Sequence, residues 1–496
     1  MNRSNEIILV NFRNHRDMYP PFGLMYVADA LRQAGYEPSI YHETEDFLAE
    51  FIERVRETQP LFVGFSTITG PQLKPTIDAS RAVHALGVPV VWGGVHATIM
   101  PEDCLREDYI DYVVVNEGEE TVVELANALR DDAPAETFKT IFGLAHKQTK
   151  AIEFVGERPF IANLDKYHPT WDLIPVERYL IQSGDYDRAL PVYISRGCPF
   201  RCGFCYNEVV MKRTWRQHSD EYVVSQIHAL QAKYNINAVD YADDYLFGRV
   251  SPMKRLVEKV GLPWSGQVRV HLLKPDFVKW MKDTNCQWVN IGAESGSQAV
   301  LDSMHKDQKA EHIEMAVRNL TEYAPHIEAN LSFIVGLPEE NIVERKVTFD
   351  LIEKLCEINE KARCSVCVYM PYPGTPLWQD ALDRGFVPPD HQEGWCNFDL
   401  NRGNTPWVSD AESQVLSEIN DILFVGRSRG NALLAPYYAM LRWRWRRMYF
   451  KYYFEGSLKH GFENLASRVG ILKRMHRWLV PYNNTQTHKG PAMEGV

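Results

Sequence analysis

Residues 192–205 of this 496-residue chain read VYISRGCPFRCGFC, with cysteines at positions 198, 202 and 205. The apolar start, 192–195, predicts a strand, and the cysteines follow it on a loop. Three thiolates this close together can hold three corners of a [4Fe–4S] cluster and leave the fourth iron without a protein ligand. The alternative is a zinc knuckle, which needs a fourth Cys or His at suitable spacing, and none follows closely.

The pattern around this stretch alternates strands and helices six times. Strands are predicted over 192–195, 238–241, 265–270, 288–291, 329–335 and 364–369. Repeated βα units predict a parallel sheet curled into a partial barrel, with its chemistry at the C-terminal ends of the strands. Beyond about residue 388 the pattern becomes irregular, then helical and basic.

A second run of alternating strands and helices precedes the first one. Strands are predicted over 7–10, 38–41, 61–65, 88–92 and 112–115. Five such units predict an α/β, doubly wound, flavodoxin-like domain, whose ligands lie beyond the carboxyl ends of the strands. The predicted organisation is a domain at 1–131, a connector with a short hairpin at 132–187, a partial barrel at 188–387 and a mostly helical region at 388–496.

Composition excludes several classes of protein. Apolar residues make up 45% and charged residues 24% of the chain, which is typical of a folded protein rather than a disordered one. We find no uncharged apolar run of about 18 residues and no signal-peptide pattern, so a cytoplasmic location is expected. The net charge of −11 argues against a general nucleic-acid binder.

The C-terminal region is basic against this acidic background. Residues 436–478 contain ten Lys or Arg and two Glu, and the segment 436–454 is also rich in aromatic residues. One interpretation is a basic amphipathic helix that makes a peripheral contact with the inner membrane surface. The other is that its apolar stripe packs on the barrel while its arginines meet acidic residues.

The cysteine motif, Cys-x3-Cys-x-aromatic-Cys, resembles the signature of the radical S-adenosylmethionine (SAM) superfamily. Further motifs of that family follow in order between about 190 and 390: Tyr241-Ala-Asp-Asp244, Arg269, Gly292-Ala-Glu-Ser-Gly296, Gly336-Leu-Pro-Glu-Glu340 and Pro373-Gly-Thr-Pro376. The resemblance implies that Cys198, Cys202 and Cys205 bind a [4Fe–4S] cluster, whose open iron is chelated by SAM. The implied SAM contacts are Phe204, Tyr206, Asp243, Asp244, Arg269 and Glu294.

The N-terminal domain resembles that of the cobalamin-binding subfamily. The implied cobalamin contacts are Ser66 and Thr67 after the third strand, Gly93, Gly94, Val95 and His96 after the fourth, and Glu117 and Gly118 after the fifth. The first loop lacks Asp-x-His-x-x-Gly, because His15 and Gly23 have the wrong spacing. No histidine ligand to cobalt is therefore expected from that loop.

Together these resemblances imply an enzyme that cleaves SAM to a 5′-deoxyadenosyl radical and uses cobalamin, held between the domains, to methylate an unactivated carbon. The alternatives are cobalamin-dependent cyclisation, ring contraction or oxidation, a cobalamin-independent radical SAM enzyme, and a cobalamin or redox sensor. The expected partners are a small-molecule, lipid-like or natural-product substrate and a flavodoxin or ferredoxin as electron donor. The other six cysteines are expected to be structural, with Cys364 and Cys367 on opposite faces of a strand.

Overall fold

The computed structural model describes residues 4–13, 19–148, 151–398, 405–409, 412, 416, 443 and 446–449. His15 and most of the basic aromatic segment 436–454 lie outside the described residues. Within them, two seven-stranded sheets follow each other along the chain, and each is covered by helices.

The first sheet has the strand order β2-β1-β3-β4-β5-β6-β7. Its strands are β1 (Glu6–Val10), β2 (Glu37–Tyr41), β3 (Val63–Ser66), β4 (Val90–Gly93), β5 (Tyr112–Val114), β6 (Leu144–Gln148) and β7 (Ala151–Phe154). The first five strands are parallel, and β6 and β7 extend the sheet as an antiparallel hairpin. This order confirms the doubly wound fold, and the hairpin lies within the segment 132–187 that was predicted to be a connector.

Both faces of this sheet are buried, which explains its nearly continuous apolar strands. In β1, Ile8 and Val10 pack on one face, while Ile7 and Leu9 pack on the other. The helices of this half are α1 (Phe22–Gln33), α2 (Leu48–Thr58), α3 (Leu73–Ala85), α4 (Gly94–Ile99), α5 (Pro101–Arg106), α6 (Glu119–Arg130) and α7 (Ala135–Phe138).

The second sheet has the strand order β16-β15-β14-β13-β12-β9-β8, parallel except for β8. Its strands are β8 (Ile181–Ser183), β9 (Tyr186–Val192), β12 (Ala238–Tyr241), β13 (Trp264–Val268), β14 (Cys286–Glu294), β15 (Glu328–Val335) and β16 (Ala362–Val368), and a separate pair is formed by β10 (Ser195–Gly197) and β11 (Trp215–Gln217). This is the predicted sheet of βα units.

The second half also contains helices between and after its strands. They are α8 (Asn207–Val210), α9 (Asp220–Tyr234), α10 (Val250–Val260), α11 (Pro275–Asp283), α12 (Gln298–Ser303), α13 (Ala310–Tyr323), α14 (Ile342–Ile358), α15 (Trp378–Asp383) and α16 (Gln392–Trp395). The longest, α14, begins at a capping box made by Asn341 and Glu344, which satisfies backbone N–H groups of its first turn. Among the described residues, no helix has the length and apolar character needed to cross a bilayer.

The first barrel strand was predicted too late in the sequence, at 192–195. The structure ends β9 at Val192, and residues from Ser195 form β10 instead. The cause is Asp243, whose Oδ1 accepts hydrogen bonds from the backbone N–H groups of Ile194, at 3.1 Å, and Ser195, at 2.5 Å. These N–H groups are thereby withdrawn from the sheet, and the chain turns toward the cysteine loop.

The strands β14, β15 and β16 alternate between buried and partly exposed residues. In β16 this places Cys364 on the buried face and Cys367 on the opposite face, as the period of a strand requires. The partly exposed face is the concave side of the sheet. It supplies Asn290, Asn330 and Ser365 to a cavity at the cysteine loop.

Candidate functional site

The three cysteines of the loop after β10 line one cavity of about 410 Å³ at the concave face of the second sheet. All three thiols are free of disulfides. No three His, Cys, Asp or Glu side chains of the described residues are arranged to hold a single metal ion. A [4Fe–4S] cluster has a different requirement, because each thiolate binds a different iron. Three thiols on one cavity wall are a suitable donor set for such a cluster.

Burial makes the thiols of Cys198 and Cys205 poor acids in the absence of a cation. It raises the pKa of Cys205 to about 12, and it also raises the pKa of Cys198. A coordinating metal removes the proton from such a thiol, because the cation stabilises the thiolate that burial disfavours. The loop is therefore suited to hold thiolates when iron is bound.

Arg269 directly follows β13 and contacts the cysteine loop. Its Nη1 lies 3.7 Å from Cys202 Sγ, and its guanidinium stacks on the ring of Phe200 at 3.6 Å from the centroid. Arg269 also donates to the backbone oxygen of Lys306, and it is only 7% exposed. A fixed positive charge here would stabilise the negative charge of thiolates and of a carboxylate ligand.

Glu294 is presented to the same cavity by an irregularity in β14. The register of β14 against β15 shifts between Gly292 and Glu294, and Glu294 has a φ of 63°, which is unusual for a residue other than glycine. Lys306 Nζ lies 2.6 Å from Glu294 Oε1 in a buried ion pair. A Cβ on Gly292 would lie 2.5 Å from that carboxylate oxygen, so the pair depends on a glycine at this position.

The two aspartates after β12 have different surroundings. Asp243 is fully buried and holds the turn after β9, with its Oδ1 also 2.5 Å from Ser195 Oγ. Asp244 lines the cysteine cavity and interacts with Asn207, and burial raises its pKa. Asp244 therefore lies at the cysteine cavity, whereas Asp243 stabilises the turn that precedes the cysteine loop.

Of the remaining predicted SAM contacts, Phe204 lines the cysteine cavity, whereas Tyr206 packs against Tyr372, with ring centroids 6.5 Å apart. Sequence analysis missed several polar residues of the same wall: Asn207, Gln267, Asn290, Lys306, Asn330, Ser332 and Ser365. Four of these residues, Asn290, Asn330, Ser332 and Ser365, lie on β14 to β16, where apolar and polar positions alternate. A search of these strands for polar residues at the alternate positions could have found them.

A second cavity, of about 250 Å³, lies between the carboxyl edge of the first sheet and the loop after β9. It reaches into the first domain along Gly64, Val91 and Val114, and it is bounded across the interface by Tyr193 and Arg196. Of the predicted cobalamin contacts, those lining it are Ser66, Gly93, Gly94, Val95, Glu117 and Gly118. Glycines and small apolar side chains leave room for a large, flat ligand to approach the backbone.

Gly94 gives this wall its shape. Its φ is +87°, and a Cβ there would lie 2.7 Å from both the backbone N and O of Thr67. Thr67 does not line the cavity but fixes the wall, because its Oγ1 donates to Gly93 O at 2.7 Å and accepts from Ala97 N at 3.2 Å.

His96 also lies outside the cavity. Its side chain is fully buried, with Nδ1 2.9 Å from Thr69 Oγ1 and Nε2 2.7 Å from Gln392 Oε1. Burial lowers the pKa of His96 to about 4, so the ring is neutral at ordinary pH. The histidine links the first domain to α16.

Glu117 joins the two halves of the molecule rather than facing the cavity alone. Its carboxylate accepts from Arg196 Nη1 and from both terminal nitrogens of Arg216, each at 2.9 Å, and from Ile161 N at 2.7 Å. Arg196 also pairs with Glu119 at 2.7 Å. Burial opposes ionisation of Glu117, but hydrogen bonds from Arg216 and the charge of Arg196 lower its pKa overall.

Glu117→Gln is expected to destabilise the cobalamin-free protein by roughly 3 kcal/mol, because it leaves the largely buried charge of Arg216 without a carboxylate, whereas Arg196 keeps its pair with Glu119. A lowered pKa in the folded state contributes stability above the ordinary value of 4.5 and loses it as the pH falls through the folded value. Urea unfolding between pH 3 and 7 should therefore show a shallower loss of stability below pH 4.5 in the variant. Glu124→Gln, which removes the half-exposed partner of Arg158, should cost less than about 1 kcal/mol. Equal costs for the two variants would contradict the role of Glu117.

A third cavity, of about 340 Å³, opens on the concave face between the first two. It shares Tyr193 with the glycine-lined cavity and shares Gln267 and Asn290 with the cysteine cavity. Asp244 lines all three. The cysteine loop, the concave face and the interface between the halves therefore meet at one side chain.

Comparisons with known proteins agree with this architecture. Residues 9–126 match the B12 binding domain family, and residues 192–352 match the radical SAM superfamily. An uncharacterized methyltransferase of Pyrococcus horikoshii is 31% identical over 377 residues, 74% of this chain and 80% of that protein. An anaerobic magnesium-protoporphyrin IX monomethyl ester cyclase of Cereibacter sphaeroides is 29% identical over 387 residues, 74% of this chain and 61% of the cyclase.

Among solved structures, the chain resembles the radical SAM methyltransferase TsrM of Kitasatospora setae with cobalamin and a [4Fe–4S] cluster bound. The TM-score is 0.60 at 19% identity, over 77% of this chain and 75% of that one. At this identity the likeness concerns the fold, in which a B12 binding domain precedes a curled radical SAM sheet.

The fold and the thiol-lined cavity define a radical SAM enzyme with an N-terminal cobalamin-binding domain. With the match to the Pyrococcus methyltransferase over most of both chains, the protein belongs to the cobalamin-dependent radical SAM family. Its cofactors are those of its two domains: cobalamin, SAM and a [4Fe–4S] cluster.

Proposed function

We propose that this enzyme transfers a methyl group to an unactivated carbon of a small molecule bound at the concave face of the second sheet. The observation that carries the proposal is the meeting of the three cavities at Asp244. A substrate carbon in the middle cavity has the cysteine loop on one side and the glycine-lined cavity on the other. Radical methyl transfer needs this arrangement, with a hydrogen-abstracting group and a methyl donor both within reach of one carbon.

The cysteine cavity is proposed as the site of the cluster and SAM. Cys198, Cys202 and Cys205 would hold three irons, and Arg269 would stabilise the thiolate charge around Cys202, 3.7 Å away. When bound, the cluster with SAM supplies a 5′-deoxyadenosyl radical, and cobalamin supplies the methyl group.

Glu294 and the loop after β12 are proposed as the other SAM-orienting groups. The buried pair with Lys306 fixes the Glu294 carboxylate at the cavity wall, so the pair can bind polar ligand groups without reorganisation. Asp244 would accept hydrogen bonds from a ligand at the point where the three cavities meet. Asp243 positions the turn that leads to the cysteines. Phe204 supplies an apolar contact beside the thiols.

The glycine-lined cavity is proposed as the cobalamin site, with Ser66, Gly93, Gly94, Val95 and Gly118 at its wall. Its position between the two halves agrees with the expectation that cobalamin is held between the domains. Because His96 bonds to Thr69 and Gln392, we propose that it supports the wall and does not bind cobalt.

The relatives also favour a second candidate function. One of them is the anaerobic cyclase of Cereibacter sphaeroides, so the same two cofactors could drive ring closure without methyl transfer. In either function an external one-electron donor, such as flavodoxin or ferredoxin, would reduce the cluster.

A peripheral membrane contact through 436–454 is also proposed for a lipid-like substrate, and a vesicle-sedimentation assay would test it.

Anaerobic enzyme supplied with substrate and SAM carrying a deuterated methyl group is expected to give product heavier by one labelled methyl group. The same reaction should release 5′-deoxyadenosine, because the radical takes a hydrogen from the carbon that receives the methyl group. Mass spectrometry of product and nucleoside measures both. Unlabelled, oxidised or cyclised product with 5′-deoxyadenosine still formed would reject methyl transfer in favour of the second candidate.

A further inference from the structure

The third cavity contains a buried carboxylate that the proposed roles above do not use. Asp240 lies on β12 at the cavity wall and is 1% exposed. Its carboxyl group interacts with the hydroxyl of Tyr19, but its Oδ2 has no hydrogen-bond partner among the described residues. A buried, unpartnered carboxylate oxygen is costly, so such a group is retained where a ligand completes its hydrogen bonds.

The rest of the cavity has the character of a cation site. Tyr19, Tyr193 and Trp288 supply aromatic surface, and Asn290 and Gln267 supply amide groups. Among the described residues that line it, none is Lys or Arg, while Asp240 and Asp244 are acidic. Aromatic faces and a desolvated carboxylate together favour an alkylammonium ion, through cation–π contact and a charged hydrogen bond.

SAM is itself a cation, but its expected place differs from that of Asp240. Asp244 lines the cysteine cavity, where SAM is proposed to bind, whereas Asp240 does not line that cavity. The carboxylate of Asp240 therefore faces the space left for the substrate.

We infer that the substrate carries a protonated amine that binds Asp240 within an aromatic subsite formed by Tyr19, Tyr193 and Trp288. This inference rests on the proposed function only in locating the substrate at the concave face. The amine anchors one end of the molecule, so that the carbon to be methylated lies near Asp244, where the three cavities meet.

The test compares a charged probe with a neutral probe of the same shape. Phenethylamine and 2-phenylethanol are titrated into anaerobic enzyme loaded with cobalamin, cluster and SAM at pH 7.5 and physiological salt. Saturation-transfer NMR reports their dissociation constants. The wild type is expected to bind the amine about tenfold or more tightly than the alcohol, since charged hydrogen bonds are stronger than neutral ones.

Asp240→Asn is isosteric and removes a buried acidic group whose pKa burial raises to about 7, so the variant should fold. It is expected to weaken amine binding about tenfold and to abolish the preference over the alcohol. Asp240→Glu should keep the preference, because it keeps the charge. Asp283→Asn, at the exposed end of α11, serves as the matched control for attraction to the acidic surface and should change nothing.

Three results would overturn the inference. The wild type could bind both probes equally, the preference could survive in Asp240→Asn, or Asp240→Asn could raise the KM for SAM in uncoupled 5′-deoxyadenosine formation without altering amine binding. The last result would assign Asp240 to SAM. A different result would affect only the proposed function. If the wild type prefers the amine probe but transfers no labelled methyl group to product, methyl transfer is rejected and the amine subsite is retained.

Discussion

Cys202→Ala protein, purified and reconstituted without oxygen, is expected to hold far less iron than the wild type and to form 5′-deoxyadenosine at below about 1% of its rate. Cys202 is the least exposed of the three cysteine residues and the one contacted by Arg269. Without it, two thiolates and an arginine remain, and two ligands do not hold a cubane cluster with one open iron. The measurements are iron and sulfide per chain and SAM cleavage with dithionite.

A cysteine outside the cavity provides the control. Cys396 is half-buried next to α16, with its Sγ 3.8 Å from Gln392 O, and lies on the side of the first domain. Cys396→Ala should retain full iron content and full SAM cleavage. If Cys202→Ala kept its iron and its rate, the proposed cluster ligands would be wrong. If both variants lost iron together, the effect would be one of folding.

Much of the fold follows from local pattern, because parallel strands buried on both faces are apolar throughout. The five parallel strands of the first sheet were predicted close to their observed bounds for that reason. The first barrel strand was missed because its end is set by Asp243, about 50 residues further on. A long-range hydrogen bond of this kind leaves no periodic signal in the residues that it redirects.

The candidate site was predictable where residue types cluster in the sequence. Three closely spaced cysteines and a pair of glycines signal their chemistry through spacing. Lys306 and Arg196 had no such signal, because each acquires its role from a partner brought near by folding. His96 shows the opposite case: its place two residues after Gly94 suggested a ligand contact, but in α4 its side chain is buried and hydrogen-bonded to Gln392.

Gly94→Ala is expected to lower cobalamin retention at least about tenfold and to destabilise the protein by about 2–4 kcal/mol. The new Cβ would lie 2.7 Å from the backbone N and O of Thr67. These atoms cannot move at low cost, because Thr67 N donates to Gly93 O at 2.8 Å and Thr67 O accepts from His96 N at 3.1 Å. The walls after β3 and β4 would separate, and the cavity would lose its shape. Corrin absorbance per chain and urea unfolding measure the two effects.

Gly87→Ala separates this clash from the strain of a left-handed backbone. Gly87 has a φ of +75°, and a Cβ there would meet nothing within 4 Å. It should therefore lose only about 1–2 kcal/mol and retain cobalamin fully. In both variants the cluster and uncoupled SAM cleavage should persist, since the cysteine loop follows β10 in the second half of the chain. Normal corrin content in Gly94→Ala would mean that cobalamin binds elsewhere, because a ligand that fills this cavity cannot be indifferent to its wall.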